Sequence, residues 1–158
     1  DLQFDWSFAA GPGGVGFNAL ESWMDTIKVL PPPGLPEDEN VGLVGGLIGG
    51  SFPEWKANLQ ARYQWAAMTA GVQWRYVDSM RDANPDLNYP IPGFDYFDLF
   101  ATYVFDAGAV EGLTFRAGIE NLTDEDPPLL PSQVQANTDP SQYDVLGRRY
   151  YFNVSYRF

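Results

Sequence analysis

Residues Trp55–Trp65 read Trp-Lys-Ala-Asn-Leu-Gln-Ala-Arg-Tyr-Gln-Trp. Every odd position is apolar or aromatic, and every even position is polar or charged. Strict period two makes a strand with one wet face and one apolar face. The length matches the roughly 9–11 residues that a tilted strand needs to cross a bilayer.

The same alternation recurs along the chain. At the C-terminus Tyr150, Phe152, Val154, Tyr156 and Phe158 alternate with Arg149, Tyr151, Asn153, Ser155 and Arg157. Leu113, Phe115, Ala117 and Ile119 alternate with Thr114, Arg116, Gly118 and Glu120, and Ala70, Val72, Trp74 and Tyr76 with Gly71, Gln73 and Arg75. Phe97, Leu99, Ala101, Tyr103 and Phe105 form one face of another segment, whose other face is mixed. Leu2, Phe4, Trp6 and Phe8 alternate with Gln3, Asp5 and Ser7. A seventh strand is expected between Val15 and Leu30. There Phe17, Ala19, Trp23 and Ile27 share a phase with Glu21 and Asp25, so a kink or bulge is expected to shift the register.

The connections sort by length. Gly11–Gly14, the turn after Trp65 and Asp106–Val110 are short; Leu30–Pro53, Ser79–Gly93 and Thr123–Leu146 are longer. Short turns at one end and long loops at the other are the habit of outer-membrane barrels. With short turns on the periplasmic side, the last strand ends at Phe158 in the periplasm and the first begins outside. Seven strands so arranged do not close with both ends in the periplasm, and earlier strands are therefore expected upstream.

Composition removes other classes. The 158 residues hold 21 acids and 9 bases, a net charge of −12, which disfavours nucleic acid. There is no cysteine and no histidine, so thiolate chemistry and the commonest general base and metal ligand are missing. The Gly-rich run Gly45–Gly50 lacks the Lys-Ser/Thr of a phosphate loop and reads as a mobile loop. Asp124-Glu125-Asp126 and Glu37-Asp38-Glu39 lack the ligand alternation of a calcium loop, and the sequons at Asn121 and Asn153 lie in or beside strands. No paired carboxylates face a cleft, so no enzyme activity, cofactor or metal is expected.

On the six clear strands the apolar phase carries no charge, while Arg62, Arg75, Arg116, Arg149 and Arg157 all fall on the opposite phase. An arginine facing lipid at the bilayer midplane costs about 2–4 kcal/mol, so these five are expected to face the lumen. There they pair with acids such as Glu120, Asp98 and Asp5 or with acids of a lumen domain. Trp55, Trp65, Trp74, Tyr76, Tyr103, Tyr150 and Tyr156 suit interfacial girdles.

Two stretches carry a family resemblance. Gly118-Ile119-Glu120-Asn121-Leu122-Thr123-Asp124-Glu125-Asp126-Pro127-Pro128 resembles the Asn-Leu-Phe-Asp-Lys-Asp-Pro-Pro segment after the penultimate strand of TonB-dependent receptors, with Thr123 where Phe is common. Tyr143-Asp144-Val145-Leu146-Gly147-Arg148-Arg149-Tyr150-Tyr151, running on to Phe158, is similar to that family's closing strand. Phe52–Lys56 and Phe94–Asp98 add to the resemblance in the expected order. Asn121 and Asp124 suit a strand end, Pro127 and Pro128 stop pairing, and Gly147 allows a turn.

The resemblance implies an all-β fold, an antiparallel transmembrane β-barrel segment in the bacterial outer membrane. Residues 1–158 would supply about seven C-terminal strands of a barrel of about 22 strands around a plugged lumen. The implied function is uptake of a scarce nutrient (siderophore, cobalamin, saccharide or similar) with energy passed through TonB. The implied partners are the rest of the barrel and its plug, TonB through the plug, lipopolysaccharide and phospholipid, and the barrel assembly machinery, for which Phe158 resembles the recognition signal. Candidate substrate contacts are Trp23, Asp82, Asn84, Asp86, Asn88, Tyr89, Asp95, Tyr96, Gln133, Gln135 and Asn137. Two other readings stay open: a small non-transport barrel (adhesin or anchor), and a soluble β-sandwich that binds a ligand.

Overall fold

A computed structural model describes residues 1–30, 32–34, 37–46, 49–87, 89–133 and 137–157. The strands are β1 (Leu2–Ala10), β2 (Gly13–Trp23), β3 (Lys28–Val29), β4 (Asp38–Glu39), β5 (Leu43–Val44), β6 (Trp55–Trp65), β7 (Met68–Val77), β8 (Met80–Asp82), β9 (Pro90–Ile91), β10 (Phe94–Val104), β11 (Leu113–Glu120) and β12 (Arg149–Tyr156). The only helical element among the described residues is a 3-10 turn at Gly108–Val110. Seven long strands form one antiparallel sheet in the order β1-β2-β6-β7-β10-β11-β12. The sheet is not closed on itself, so β1 and β12 are its edges. The short connections, including Gly11–Pro12 and Ala66–Ala67, all lie at one end; the loops holding β3–β5, β8–β9 and residues 121–148 lie at the other.

The pleat sorts side chains as the alternation requires. One apolar rung reads Phe17–Ala61–Val72–Leu99–Ile119–Tyr150 and the next Val15–Tyr63–Ala70–Ala101–Ala117–Phe152. No second sheet or helix covers this face among the described residues: Leu2, Phe4, Trp6, Tyr150 and Phe152 are each more than half exposed. That arrangement has no place in a soluble sandwich, whose apolar face packs on a second sheet. Rings cluster near its two ends. Trp55, Trp74 and Tyr76 sit at the long-loop end with centroids 4.9 and 5.7 Å apart, and Tyr103, Phe105 and Phe115 at the short-turn end with centroids 4.8 and 5.7 Å apart. At about 3.4 Å per residue β6 extends about 34 Å, and a tilt of about 40° brings that to about 26 Å, the height of an outer-membrane apolar band.

The phase of β2 differs from expectation. It starts at Gly13 and pairs without a bulge along β6, from Gly14 opposite Gln64 to Trp23 opposite Trp55. Glu21 therefore stays on the apolar phase, opposite Leu2 and Ala57. Its place one rung from the long-loop end explains the tolerance: near the interface a lipid-side charge costs only about 0–1 kcal/mol. Asp25 and Ile27 lie beyond the strand. At the same height β10 starts three residues before Phe97, which puts Asp95 on the apolar phase; Trp74 Nε1–H donates to its Oδ1 at 2.6 Å.

The opposite face carries an unusual rung. It reads Ser7–Gly16–Arg62–Gly71–Phe100–Gly118–Tyr151, so glycine alternates with a large side chain. The large groups lie across the glycines: a Cβ on Gly16 would meet Arg62 Nε at 3.0 Å, one on Gly71 would meet the Phe100 ring at 2.5 Å, and one on Gly118 would meet the Tyr151 ring at 2.5 Å. Glycine weakens a strand interior, and a ring laid over it restores cover to the bare backbone. The next rung toward the short turns reads Gly14–Gln64–Thr69–Thr102–Arg116–Asn153, and beyond it lie Val104, Thr114 and Ser155.

Arginine substitution tests which face meets lipid. Val72→Arg, on the middle of the apolar face, should cost about 2–4 kcal/mol of barrel stability, while Gln73→Arg on the adjoining inner position should cost under about 1 kcal/mol. Urea unfolding in lipid vesicles, read by heat-modifiable gel mobility, measures both. Equal costs would contradict the assignment of faces.

Candidate functional site

The long-loop end is built by loops that pack on the polar face. β5 pairs parallel with β8, and β8 antiparallel with β9, so the first and second long loops share a small sheet. Val44, Met80 and Ile91 from those loops, and Leu130 and Tyr143 from residues 121–148, gather on Val77, Phe94 and Tyr96 of the long strands. Burying such side chains stabilises by roughly 1.5–3 kcal/mol each, which anchors loops that have little regular structure of their own. Polar ties add direction. Ser132 Oγ donates to Asp82, Gln133 Nε2 to the Gly50 carbonyl at 3.1 Å and Gln142 Nε2 to the Ser51 carbonyl at 3.2 Å. The Gly45–Gly50 segment is closed by Gly45 N–H donating to Gly50 O at 2.9 Å; residues 47 and 48 lie outside the described residues. Glu39 accepts from Thr26 and from the backbone N–H groups of Ile27, Asn40 and Val41. These bonds, that of Thr26 foremost, hold its carboxyl down at about 2.

Below this layer runs a line of alternating charges. Arg75 donates through Nε and Nη2 to the two oxygens of Asp98 at 2.7 and 3.0 Å, and its guanidinium carbon stands 5.1 Å from the Tyr96 ring centroid. Arg149 grips Asp144 at 2.6 and 3.1 Å and Glu120 at 3.0 and 2.7 Å. Asp144 also lies 3.8 Å from Arg75 Nη2, and its side chain is only 4% exposed. The sequence Asp98–Arg75–Asp144–Arg149–Glu120 therefore links β7, β10, β11 and β12 to the last long loop. Register explains most of it: Arg149 stands directly opposite Glu120, and Asp98 lies diagonal to Arg75, the two geometries in which cross-strand charges meet. Burial pushes the Asp144 carboxyl up, but the Arg149 hydrogen bonds, the Leu146 N–H and the two guanidinium charges outweigh it and hold the group below its ordinary value.

The two motif stretches form one unit here. Asn121, fully buried with φ 52°, donates through Nδ2 to the Glu125 carbonyl and accepts from Glu125 N–H through Oδ1, both at 2.9 Å. Its own N–H donates to Asp98 at 2.8 Å. Asp124 accepts from Arg148 N–H at 2.8 Å, beside Gly147, whose φ of 69° forms the turn into β12.

Two cavities open at this end. One, of about 380 Å³, lies on the inner face between Ser22, Lys56, Asn58, Arg75 and Tyr96 and the loop residue Gln142, to whose Oε1 Lys56 Nζ donates at 3.2 Å. The other, of about 410 Å³, is lined by Leu43, Arg81, Asp82, Pro85 and Tyr89 in the loop layer. Of the sequence-derived candidates, Asp82 and Tyr89 meet at the second cavity and Tyr96 lines the first. Asn84 Oδ1 caps a turn by accepting from Asp86 N–H at 3.0 Å, and Asp86 is exposed. Gln133 ties loops, and Asn137, with φ 55°, turns the chain where its carbonyl accepts from Leu130 N–H. Trp23 and Asp95 are on the apolar side. Asn88, Gln135 and Phe158 lie outside the described residues. Of the five arginines, Arg75 and Arg149 are the ones ion-paired among the described residues; Asp5 bonds Gln3 and Asn18 instead. Lys56, Asn58, Ser22 and Gln142 were absent from the sequence-derived candidates. Alternation put Lys56 and Asn58 on the inner face, but nothing local placed Gln142 above them.

An open sheet with a bare apolar face, sorted connections and a charge-lined reverse defines the wall of an outer-membrane barrel. The chain belongs to the TonB-dependent receptor β-barrel family: the model described as TonB dependent receptor-like, beta-barrel, matches residues 1–122. The match runs from β1 through β11 and ends at Leu122, inside the first motif stretch and before the second. No curated protein and no solved structure matches the chain. The family is one of receptors and transporters rather than enzymes, and it places the chain in the outer membrane.

Asp144 is the test of the charge line. Asp144→Asn should release residues 121–148 at a cost of about 2 kcal/mol, a charged hydrogen bond's worth discounted for the partly exposed guanidiniums. Limited proteolysis of that loop reads it, with heat-modifiable mobility unchanged. Because the folded carboxyl titrates below its ordinary 3.8, its contribution is complete above that pH and disappears as pH falls through the lower folded value. The wild-type loop should therefore become protease-sensitive only under strong acid, and the variant's sensitivity should not change over that range.

Proposed function

We propose that the chain is the closing wall of a TonB-dependent transporter that imports a scarce nutrient across the outer membrane. Residues 1–158 form about seven C-terminal strands, with further strands pairing to the free edges of β1 and β12 to complete a barrel of about 22 strands around a plug. The observation that carries this reading is the division between the two faces. One is apolar and uncovered, while the other is charged and roofed by packed loops at the end away from the short turns. A lipid-facing wall needs the first; a lumen that receives cargo from outside needs the second.

In this reading cargo meets the loop layer first. Exposed Asp86 and Tyr89 stand at the mouth, and Ser22, Lys56, Asn58 and Gln142 form an inner shelf below it. Hydroxyl, amide and ammonium groups suit an oxygen-rich cargo, whether siderophore, saccharide or another. No bond is made or broken in the cargo. TonB acts on the plug and not on this wall, and the last strand, with Phe158, is read by the assembly machinery. Lipopolysaccharide and phospholipid surround the apolar face.

Deleting the gene should abolish growth on one scarce nutrient out of a panel, and the full gene should restore growth only in a strain that has TonB. A secretory leader directly before Asp1, with no intervening domain, would favour the small-barrel alternative. Unchanged growth on every nutrient would remove the transport reading.

A further inference from the structure

The inner shelf is one-sided in charge. Its cavity of about 380 Å³ is lined by two cations, Lys56 and Arg75, and by no carboxylate. Arg75 is already matched by Asp98 and Asp144. Lys56 stands on β6 between Ser22 and Val77 and is exposed. It has no carboxylate within ion-pair distance among the described residues, and its partner is the Gln142 amide oxygen at 3.2 Å. Lys28, the other lysine of the chain, is paired with Glu37 at 3.3 Å.

Hydrogen bonding is one-sided as well. The amide acceptors of the shelf are taken by the chain itself, and donors are left over. Gln142 Oε1 accepts from Lys56, while its Nε2 donates to the Ser51 carbonyl at 3.2 Å. Asn58 Oδ1 accepts from Gln73 at 3.0 Å, which leaves the Asn58 amide N–H groups without a partner among the described residues. Arg75 spends Nε and Nη2 on Asp98, and its Nη1 makes no bond among the described residues. The Lys56 ammonium has donors to spare beyond the one given to Gln142. Ser22 is the exception: its hydroxyl donates to Asp1, so it offers an oxygen.

We propose that the shelf binds a carboxylate of the cargo, with Lys56 as its ionic partner and Asn58 and Arg75 Nη1 as the donors beside it. The imported nutrient is then a hydroxylated organic acid, either a uronic acid oligomer or a metal-bound hydroxycarboxylate. The inference rests on the transporter reading and names its substrate class. Cargo that covers the shelf takes Lys56 out of water, and a charge enclosed without a partner is strongly unfavourable. The hydroxyls of an uncharged sugar bring no counter-charge; a carboxylate does. A phosphate monoester, at about −1.5 to −2, would bring more negative charge than the one unmatched cation offsets. A hydroxyl next to the carboxylate supplies the donor that the Ser22 oxygen lacks.

The test uses the full gene for uptake and the full-length receptor in detergent for binding. The probes are trigalacturonate and ferric citrate, which carry carboxylates, and maltotriose and cyanocobalamin, which carry none. Gene-dependent uptake of trigalacturonate or of ferric citrate is expected, and which of the two is taken up separates the uronic acid from the hydroxycarboxylate. K56Q should raise the half-saturating concentration for that probe by about tenfold or more, the worth of a charge-assisted hydrogen bond, with heat-modifiable mobility unchanged. K28Q should leave it at the wild-type value, and K56R should recover most of what K56Q loses. In the receptor in detergent the same probe should slow acetylation of Lys56 and not of Lys28, read by mass spectrometry. Uptake confined to maltotriose or cyanocobalamin overturns the proposal, as does an unchanged half-saturating concentration in K56Q. So does a Lys56 that resists acetylation before any probe is added, since the pocket is then filled by the protein itself. Uptake of every probe independent of the gene removes the transporter reading beneath the proposal, an outcome distinct from these.

Discussion

Hydrocarbon offers no hydrogen-bond partner, and the rest of this structure follows from that deficiency. Every backbone amide that enters the apolar layer must be satisfied by a neighbouring strand. The six long strand pairings run without a bulge, and β2 keeps its register even where that leaves Glu21 on the lipid phase. Breaking the ladder would strand amides in lipid at several kcal/mol each, whereas a carboxylate near the interface costs about 0–1 kcal/mol. The backbone prevails over the side chain, and the acid is placed where its cost is least.

The same constraint moves the protein's core. In a water-soluble sheet the apolar face would be buried and the charged face wet. Here the apolar face keeps its solvent, which is lipid, and the buried cluster forms on the other side, at one end, from loop residues and the inner-phase Val77, Phe94 and Tyr96. Near the loops those inner positions are apolar; farther along the strands the same face carries Asn58, Gln60, Gln73 and Arg62, with the Phe100 and Tyr151 rings laid over glycines. Asp144 joins the two regimes. It belongs to a loop, yet its charge is spent on guanidiniums of β7 and β12, so the position of the loop layer is tied to the register of the wall.

Much of the wall was legible in the residues. Alternation gave six strands and their faces, because the side-chain period of a strand is two whatever the sheet becomes. It misjudged β2 for a stated reason: Glu21 and Asp25 on the apolar phase looked like a phase shift, when Glu21 is an interfacial acid and Asp25 lies past the strand end. The glycines gave no such warning. Gly16, Gly71 and Gly118 are far apart in sequence, and only the register lines them up against Arg62, Phe100 and Tyr151.

The sequence by itself determined the faces, the sorting of the connections and the family motifs, since each depends on residues within a few positions of one another. Tertiary structure decided which arginines are neutralised, how three loops fuse into one layer, and where the cavities open. Gln142 reaches Lys56 across 86 positions and Ser132 reaches Asp82 across 50. Contacts at that separation are set by loop packing, and no local period or turn rule encodes them.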